Sequence, residues 1–313
     1  MTSMLPELIM LVGIPACGKS TLAAQYEKNG YTVLSSDKIR NELAQGEDYG
    51  KMTSKEYREL NVRVFEAIKK KASTLIKQKR SVVVDSTAIS RKKRIGFLRY
   101  IGNASYQKTC VLVITPVEVC MERNSKRQGN ARVPHEAIDK MLRSFECPAY
   151  VEGWDKIETV AYNGAYSFPF NEAADFPQDN PYHTLTLGGH MDAAVEYCIQ
   201  QNYPEIIRHV AAYHDVGKLY TKQFRNYKGE PTESAHFYGH ESYSAYLYLT
   251  EMLCGKTVSD REREQILYCA LLINCHMRPM FRREGSYEED VALFGERFMD
   301  DLMMLHSADR AAH

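Results

Sequence analysis

The chain has 313 residues, enough for two ordinary domains, and its hydrophobic fraction of 44% is typical of a folded globular protein. Its 40 basic and 40 acidic residues balance, which excludes a strongly basic chromatin-binding or membrane-surface protein. The eight cysteines form no CxxC pair, the N-terminus lacks signal-peptide features, and the longest apolar run is too short for a bilayer, so we expect a cytoplasmic protein without a membrane partner.

Five apolar runs alternate with helix-length segments between residues 7 and 160. The runs are ELIMLVGI, YTVLSS, SVVVDS, CVLVITP and IETVAY. Strands that are each followed by a helix build a parallel sheet with helices on both faces. Residues 53–79 carry apolar side chains at near-helical spacing, which predicts one long surface helix. We therefore predict an α/β domain over residues 1–163.

The composition changes after residue 160. Glycine, proline, asparagine and aspartate are frequent there, and we predict a linker over residues 164–180. The remaining segment, 181–313, shows helical patterns and no convincing alternating strand, so we predict an all-α second domain. Nine of the ten histidines lie after residue 180, which indicates that the two domains carry different chemistry.

The segment GIPACGKST, residues 13–21, fits the pattern GxxxxGK[ST] directly after a predicted strand and before a predicted helix. A loop of this kind cradles the phosphates of ATP with its backbone amides. Its lysine reaches the transferred group and its serine supplies a ligand for Mg2+. The predicted nucleotide-binding residues here are Gly13, Gly18, Lys19, Ser20 and Thr21.

Acidic residues follow the second and third predicted strands. Asp37 and Arg40 lie three residues apart at the sheet edge where acceptors bind, so Asp37 can take the proton of an attacking hydroxyl while Arg40 orients it. Alternatively or in addition, Asp37 caps the next helix. Asp85 ends the third strand, where it suits Mg2+ or the acceptor, and Thr87 adds a hydroxyl.

Two basic segments follow. Arg123 and Arg127 are spaced i, i+4 on one predicted helix face and, with Arg132, could close over the γ-phosphate as a lid, or they form a solvated basic helix. Between Ser86 and Val117 there is no acidic residue, and the stretch is either a nucleic-acid surface or a solvated helix face. Its basic and aromatic residues are Arg91, Lys92, Lys93, Arg94, Arg99, Tyr100, Tyr106 and Lys108.

This order of motifs over residues 7–160 resembles the polynucleotide 5′-kinase branch of the P-loop phosphotransferases. The resemblance implies transfer of the γ-phosphate of ATP to a 5′-hydroxyl of RNA or DNA, with Asp37 as the general base. Ala88 departs from the asparagine that many relatives carry after the strand-end Asp-x-Thr. Small-molecule kinases share much of the layout.

The segment HDVGK, residues 214–218, lacks the strand and the glycine spacing of a P-loop. Its His-Asp pair, predicted to be adjacent on a helix, can instead hold a divalent cation. Other metal-ligand residues are distributed around it in the order H…HD…H…H…D, which resembles the HD phosphohydrolase superfamily over residues 181–312.

This second resemblance implies one or two divalent transition metals that activate water and steady the leaving oxygen of a phosphoester. It implies that Lys218 contacts the substrate phosphate, whereas a structural role is expected for His183 and His236. The implied core ligands are His190, His214, Asp215 and Asp309, with His240 and His276 as additional ligands.

Together the two resemblances imply a bifunctional end-healing enzyme of RNA repair. The kinase would phosphorylate 5′-hydroxyl ends of RNA or DNA, the HD domain would remove a 2′,3′-cyclic or terminal phosphate, and a ligase in the same pathway would join the ends. The chain resembles bacterial fusions of these two domains, in reversed order. Two alternatives stay open: a small-molecule kinase fused to a nucleotidase, and a nucleotide-gated sensor or binding protein.

Overall fold

The computed structural model describes residues 5–45, 47–281 and 285–312. These residues divide into two compact units. The first unit comprises the described residues up to Asp139 together with Pro148–Tyr162, and the second comprises Lys140–Cys147 and the described residues from Asn163 onward. The interval predicted as a linker lies in the second unit and contains a short helix.

The first unit is a parallel α/β fold, as the sequence predicts. Its five strands are all parallel, in the order β2-β3-β1-β4-β5. The last helix before β5, α6, crosses the boundary between the units. The elements are β1 (Glu7–Val12), α1 (Lys19–Lys28), β2 (Thr32–Ser35), α2 (Ser36–Ala44), α3 (Ser54–Lys77), β3 (Val82–Asp85), α4 (Arg91–Ile101), β4 (Gln107–Ile114), α5 (Val117–Ser125), α6 (His135–Leu142) and β5 (Lys156–Ala161).

The central strands are buried on both faces, which explains their continuous apolar runs. The register pairs Asp85 at the end of β3 with Leu11 of β1 on one side and Ser35 of β2 on the other. The carboxyl ends of these three strands therefore lie side by side. The loops that follow them carry the residues predicted to bind the nucleotide and the acceptor.

Helix α3 is the predicted long helix. A capping box fixes its start, because Thr53 Oγ1 accepts from the Glu56 amide while Glu56 Oε2 accepts from the Thr53 amide at 2.7 Å. Leu60, Val64 and Ile68 are buried at helical spacing along its inner face. The prediction of one helix is confirmed.

The second unit is mainly helical, but it is not all-α. An antiparallel hairpin, β6–β7, follows its helix α10. The short, polar strands of this hairpin show no apolar alternation, which is why the sequence pattern failed to predict it. None of the helices in the described part of the chain is long and apolar enough to cross a membrane. The elements are α7 (Phe170–Ala174), α8 (Leu187–Gln200), α9 (Glu205–Ala211), α10 (Lys218–Thr221), β6 (Gln223–Arg225), β7 (Pro231–His236), α11 (His240–Leu253), α12 (Asp260–Cys275), α13 (Ser286–Phe294) and α14 (Glu296–Ala311).

Candidate functional site

The loop between β1 and α1 has the geometry of a phosphate cradle. A Cβ at Gly13 would lie 2.7 Å from the Val113 carbonyl oxygen, so only glycine fits there. Gly18 precedes α1 with a φ of 110° and no side-chain cap, which leaves the first amides of this ten-residue helix available for an anion. Lys19 is buried, and its Nζ donates to the carbonyls of Gly13 (2.9 Å) and Ile14 (2.7 Å).

Ser20 and Asp85 lie together at the start of α1 and the end of β3. Ser20 Oγ donates to Asp85 Oδ2 at 2.9 Å, and the Gly13 amide donates to the Thr87 carbonyl at 3.1 Å. Burial raises the pKa of Asp85 although the Ser20 bond and the Lys19 charge act in the opposite direction. Hydroxyl and carboxylate oxygens suit Mg2+, so Ser20 and Asp85 fit the predicted ion. Thr21 is exposed on α1.

Asp37 and Arg40 form an ion pair in α2, with Arg40 Nη1 2.5 Å from Asp37 Oδ1. Ser35 is the N-cap of α2, so the capping role considered for Asp37 is wrong. The Asp37 side chain is 77% exposed, whereas that of Arg40 is 12% exposed and donates from Nε to Asn61 Oδ1 at 3.1 Å. The Asp37 carboxylate therefore faces solvent, while the Arg40 guanidinium, to which it is paired, is held by Asn61 of α3. No pattern in the sequence indicated Asn61.

The predicted lid arginines do not share a helix face. Helix α5 ends at Ser125, before Arg127, because the side chain of buried Asn124 donates to the Val133 carbonyl (2.7 Å) and accepts from its amide (3.0 Å). Arg123 is exposed, with its guanidinium 5.5 Å from the centre of the Tyr162 ring. Arg127 donates to the Ala131 carbonyl at 3.5 Å. Arg132 is exposed in the following segment.

The basic stretch in α4 is not a continuous nucleic-acid surface. Arg94 is fully buried and donates to both carboxylate oxygens of Glu152, at 2.6 and 2.7 Å, and to the Ala88 carbonyl at 2.9 Å. Arg91 is also buried, 3.7 Å from the same carboxylate, and Tyr106 is buried as well. Because they are buried, these three residues belong neither to a nucleic-acid surface nor to a solvated helix face, and both alternatives are wrong for them.

In the second unit, His214 and Asp215 lie in a turn between α9 and α10, not on a helix as predicted. His190 from α8 and Asp309 from α14 meet them. His190 Nε2 lies 3.1 Å from both Asp215 Oδ2 and Asp309 Oδ1, and 3.3 Å from His214 Nε2. All four residues are buried. The four core residues implied by the resemblance are thus in one cluster.

Asp215 also belongs to a second group of donors. Its other oxygen, Oδ1, lies 3.1 Å from His240 Nε2 and 3.5 Å from His276 Nε2. These two imidazole nitrogens are 3.2 Å apart. His240 begins α11, and His276 directly follows α12. The Asp215 carboxylate therefore joins two groups of candidate metal ligands.

The four imidazole rings share one hydrogen-bonding pattern. Each ring directs Nδ1 at a backbone carbonyl, so Nδ1 carries a proton and Nε2 faces the cluster, where it can bind a metal once it carries no proton. The carbonyls are those of Ala312 for His190 (3.0 Å), Ala211 for His214 (2.7 Å), Phe237 for His240 (2.8 Å) and Ile273 for His276 (2.7 Å).

These donors fit one or two divalent transition metals. Ligand atoms about 2.1 Å from a common ion lie about 3 to 3.4 Å from one another, close to the spacings within each group. Burial would raise the pKa of Asp215, but the Lys218 ammonium and the neighbouring imidazoles hold it well below its usual range. Burial opposes the charge on His190, but hydrogen bonds to Asp215 and Asp309 raise its pKa to about 9.

Lys218 is buried beside this cluster. Its Nζ lies 2.6 Å from Asp215 Oδ2, donates to Gln178 Oε1 at 2.9 Å, and is 3.2 Å from His183 Nε2. The expected structural role of His183 therefore includes a direct contact with Lys218. His236 instead stacks on Tyr238, with ring centres 5.2 Å apart. No residue pattern pointed to Gln178, which lies in the proline-rich segment before α8.

A family model described as an AAA domain matches residues 8–148. The L-seryl-tRNA(Sec) kinase of Methanococcus maripaludis is 26% identical over 175 residues, which are 53% of this chain and 62% of that protein. The transcription factor bHLH140 of Arabidopsis thaliana is 26% identical over 158 residues, which are 48% of this chain and 15% of that protein. A solved Pnkp1/Rnl/Hen1 RNA repair complex contains a chain that is 22% identical, with a TM-score of 0.38 and coverage of 44% of this chain and 43% of that one.

The chain thus spans less than two thirds of the length of these relatives. The family match falls on the parallel sheet and its phosphate loop. The N-terminal half is a P-loop kinase-like domain.

Proposed function

We propose that the chain is a bifunctional end-healing enzyme. Its first unit phosphorylates 5′-hydroxyl ends of RNA or DNA with ATP, and its second unit removes a 2′,3′-cyclic or terminal phosphate with one or two divalent transition metals. The observation that carries this proposal is the presence of two separate donor sets for phosphate chemistry on one chain. One is the phosphate loop with its exposed Asp37–Arg40 pair, and the other is the buried cluster joined by Asp215.

In the kinase half, each residue has a role that follows from its position. Mg2+-ATP, when bound, supplies the transferred phosphoryl group and the metal charge that stabilises it. Lys19 and the first amides of α1 hold the phosphates, while Ser20 and Asp85 hold the ion. Asp37 accepts the proton of the acceptor hydroxyl, and Arg40 orients that hydroxyl. Arg123, Arg127 and Arg132 are the candidate lid cations.

In the hydrolase half, the four imidazoles and two carboxylates hold the metals. The metals, when bound, supply the positive charge that acidifies water and stabilises the leaving oxygen. Lys218 orients Asp215 through their ion pair of 2.6 Å and adds a cation for the substrate phosphate. Backbone carbonyls fix the tautomer of each histidine, so every Nε2 is available as a ligand.

A small-molecule kinase fused to a nucleotidase is the second candidate. The observation that favours it is the burial of Arg91 and Arg94, which removes part of the cationic surface that a polymer would contact. Comparing kcat/KM for 5′-hydroxyl oligonucleotides with kcat/KM for free nucleosides separates the two candidates, since a polymer kinase prefers the oligonucleotide.

The kinase proposal is tested with ATP, Mg2+ and 5′-hydroxyl RNA and DNA oligonucleotides. We expect 5′-phosphorylated product, and a loss of about 10²- to 10⁴-fold in kcat for Asp37→Ala. Asp192→Ala, at an exposed position of α8, is the matched control and should not change the rate. Absence of 5′-phosphate on every oligonucleotide would refute the end-healing function, and full activity of Asp37→Ala would refute its assignment as the base.

The hydrolase proposal is tested with RNA that ends in a 2′,3′-cyclic phosphate. Cleavage should require an added transition metal such as Mn2+ and should be lost in Asp215→Ala, because both donor groups share that carboxylate. His236→Asn, a histidine outside the cluster, serves as the control. Cleavage that needs neither the metal nor Asp215 would overturn the metal-site assignment.

A further inference from the structure

Two tyrosines lie in the segments that are hydrogen-bonded to α2, the helix of the Asp37–Arg40 pair. Tyr49 is in the loop between α2 and α3, and Tyr57 is in the first turn of α3. Their ring centres are 6.0 Å apart with an angle of 50° between the planes. Burial raises the pKa of Tyr49, and the charges of Arg40 and Asp37 act on it in opposite directions. Both members of the pair thus act electrostatically on Tyr49.

The structure also links Tyr57 to Arg40. Asn61 donates from Nδ2 to the Tyr57 carbonyl at 2.9 Å and accepts from Arg40 Nε at 3.1 Å. Tyr57 and Asn61 are four residues apart and so share one face of α3. The Tyr57 side chain is one of the exposed large hydrophobic groups of this unit, at 39% exposure. An accessible ring thus lies on the helix face that positions Arg40.

The loop that carries Tyr49 is anchored at two points. Tyr49 Oη donates to Asn41 Oδ1 of α2. Asn130 accepts from the Tyr49 amide at 3.1 Å and donates from Nδ2 to the Glu47 carbonyl at 3.2 Å. Asn130 lies in the segment between the candidate lid residues Arg127 and Arg132. These bonds hold the Tyr49 ring in a fixed place relative to α2.

An exposed ring on the helix that holds the Arg40 guanidinium suits an acceptor with a flat aromatic group near its hydroxyl. Stacking of a nucleobase on a tyrosine is tolerant of sequence, because every base has an aromatic face. We propose that the 5′-terminal base of the acceptor strand stacks on the ring of Tyr57, and that Tyr49 supports this stacking site. This inference rests on the proposed 5′-kinase function and names the residues that select its acceptor.

The test compares two oligonucleotides that differ only at the 5′-terminal nucleotide, one with its base and one abasic. For the wild-type chain, removal of the base should lower kcat/KM about tenfold. Tyr57→Leu should lower kcat/KM about tenfold for the intact oligonucleotide and show little further loss for the abasic one. Tyr57→Phe keeps the ring and should behave as wild type. The KM for ATP should stay unchanged in each variant.

Tyr227→Leu, at a 78% exposed position between β6 and β7, is the matched control and should leave both substrates unaffected. Thermal melting of each variant checks that the fold is intact. If the losses in kcat/KM from Tyr57→Leu and from base removal multiply, the two changes act independently and the stacking site is refuted. It is also refuted if the wild-type chain does not distinguish the two oligonucleotides. In both cases the kinase function stands. If the wild-type chain phosphorylates neither oligonucleotide, both the kinase function and the stacking site are refuted.

Discussion

At the scale of single residues, Asp85 is constrained by its position at the end of the central strand β3. Its carboxylate lies at the meeting point of three strands, is nearly buried, and accepts the Ser20 hydroxyl at 2.9 Å. Burial raises its pKa, so the charged form is costly unless a cation is nearby. An ion held between Ser20 and Asp85 would remove that cost.

Asp85→Asn keeps the shape of the side chain and removes its charge. We expect the Mg2+ concentration for half-maximal ATP turnover to rise at least about tenfold, because a charged ligand is lost from the ion site. A Mg2+ titration at fixed ATP measures this. Ser125→Ala, at the end of α5, is a control that should not change the titration. An unchanged Mg2+ requirement in Asp85→Asn would show that Asp85 is not an ion ligand.

His190 should make the stability of the metal-free protein depend on pH. Its pKa rises from 6.5 to about 9, because hydrogen bonds to Asp215 and Asp309 outweigh burial. A raised pKa contributes stability that is fully present below pH 6.5 and is lost as the pH rises through about 9. We expect the melting temperature of the metal-free protein to fall over this interval.

Metal and proton compete for His190 Nε2, so Mn2+ should bind more tightly as the pH rises over the same interval. Melting curves with a chelator and with Mn2+, recorded at several pH values, measure both effects. His190→Asn should remove most of the slope of the metal-free protein. A flat melting temperature between pH 6.5 and 9 in the wild-type chain would contradict this account of the cluster.

At the scale of elements, a buried ion pair between Arg94 and Glu152 holds α4 in place. Arg94 bonds to both oxygens of Glu152, and the Trp154 indole donates to the same carboxylate at 2.9 Å. Arg94 also holds the carbonyl of Ala88, which has a φ of 41°. Ala88 follows Thr87, whose carbonyl accepts the Gly13 amide, so α4 supports the segment against which the phosphate loop rests.

Arg94→Met should destabilise the protein by about 3–5 kcal/mol, because it leaves the Glu152 carboxylate buried without its main partner. Urea denaturation measures the change in the free energy of unfolding. Adding Glu152→Leu should recover part of the loss, since the unpaired charge is then gone. Lys92→Met, at an exposed position of the same helix, should change stability by less than about 0.5 kcal/mol. Equal losses for Arg94→Met and Lys92→Met would refute the buried role.

The elements differ in how far the sequence could predict them. The parallel sheet was predictable, because strands buried on both faces are apolar throughout. Parallel strands also end at the same edge of a sheet, so the positions of Asp37 and Asp85 after their strands predicted that both lie at that edge. The cluster of histidines and aspartates was implied by a resemblance of residue order, which carries no distances. Arg94 could not be placed, because its partner Glu152 is 58 residues away and a basic run looks the same whether buried or exposed.

The same physical limit explains the other differences. Helix α5 stops before Arg127 because Asn124 bonds to Val133, nine residues further on. The β6–β7 hairpin has polar strands of three and six residues, too short for a clear alternation. Gln178 reaches Lys218 across 40 residues of chain. These features depend on side-chain contacts between separate segments or on strands that are too short to show a pattern, and local patterns encode neither.

At the scale of the whole molecule, the end-healing proposal assigns reactions of opposite direction to the two units. In this proposal the first unit adds a phosphate to a hydroxyl, and the second releases one from an ester. The end-healing proposal predicts that both act on one RNA and that their key residues are separable. Asp37 and Asp215 lie in different units, so loss of one activity should spare the other.

The most direct measurement uses an RNA with a 5′-hydroxyl at one end and a 2′,3′-cyclic phosphate at the other. The wild-type chain, with ATP, Mg2+ and Mn2+, should phosphorylate the 5′ end and open or remove the cyclic phosphate, as read by mass spectrometry of the product. Asp37→Ala should process only the cyclic phosphate, and Asp215→Asn should phosphorylate only the 5′ end. An RNA left unchanged at both ends by the wild-type chain, or a single substitution that abolishes both reactions in a folded protein, would contradict the account.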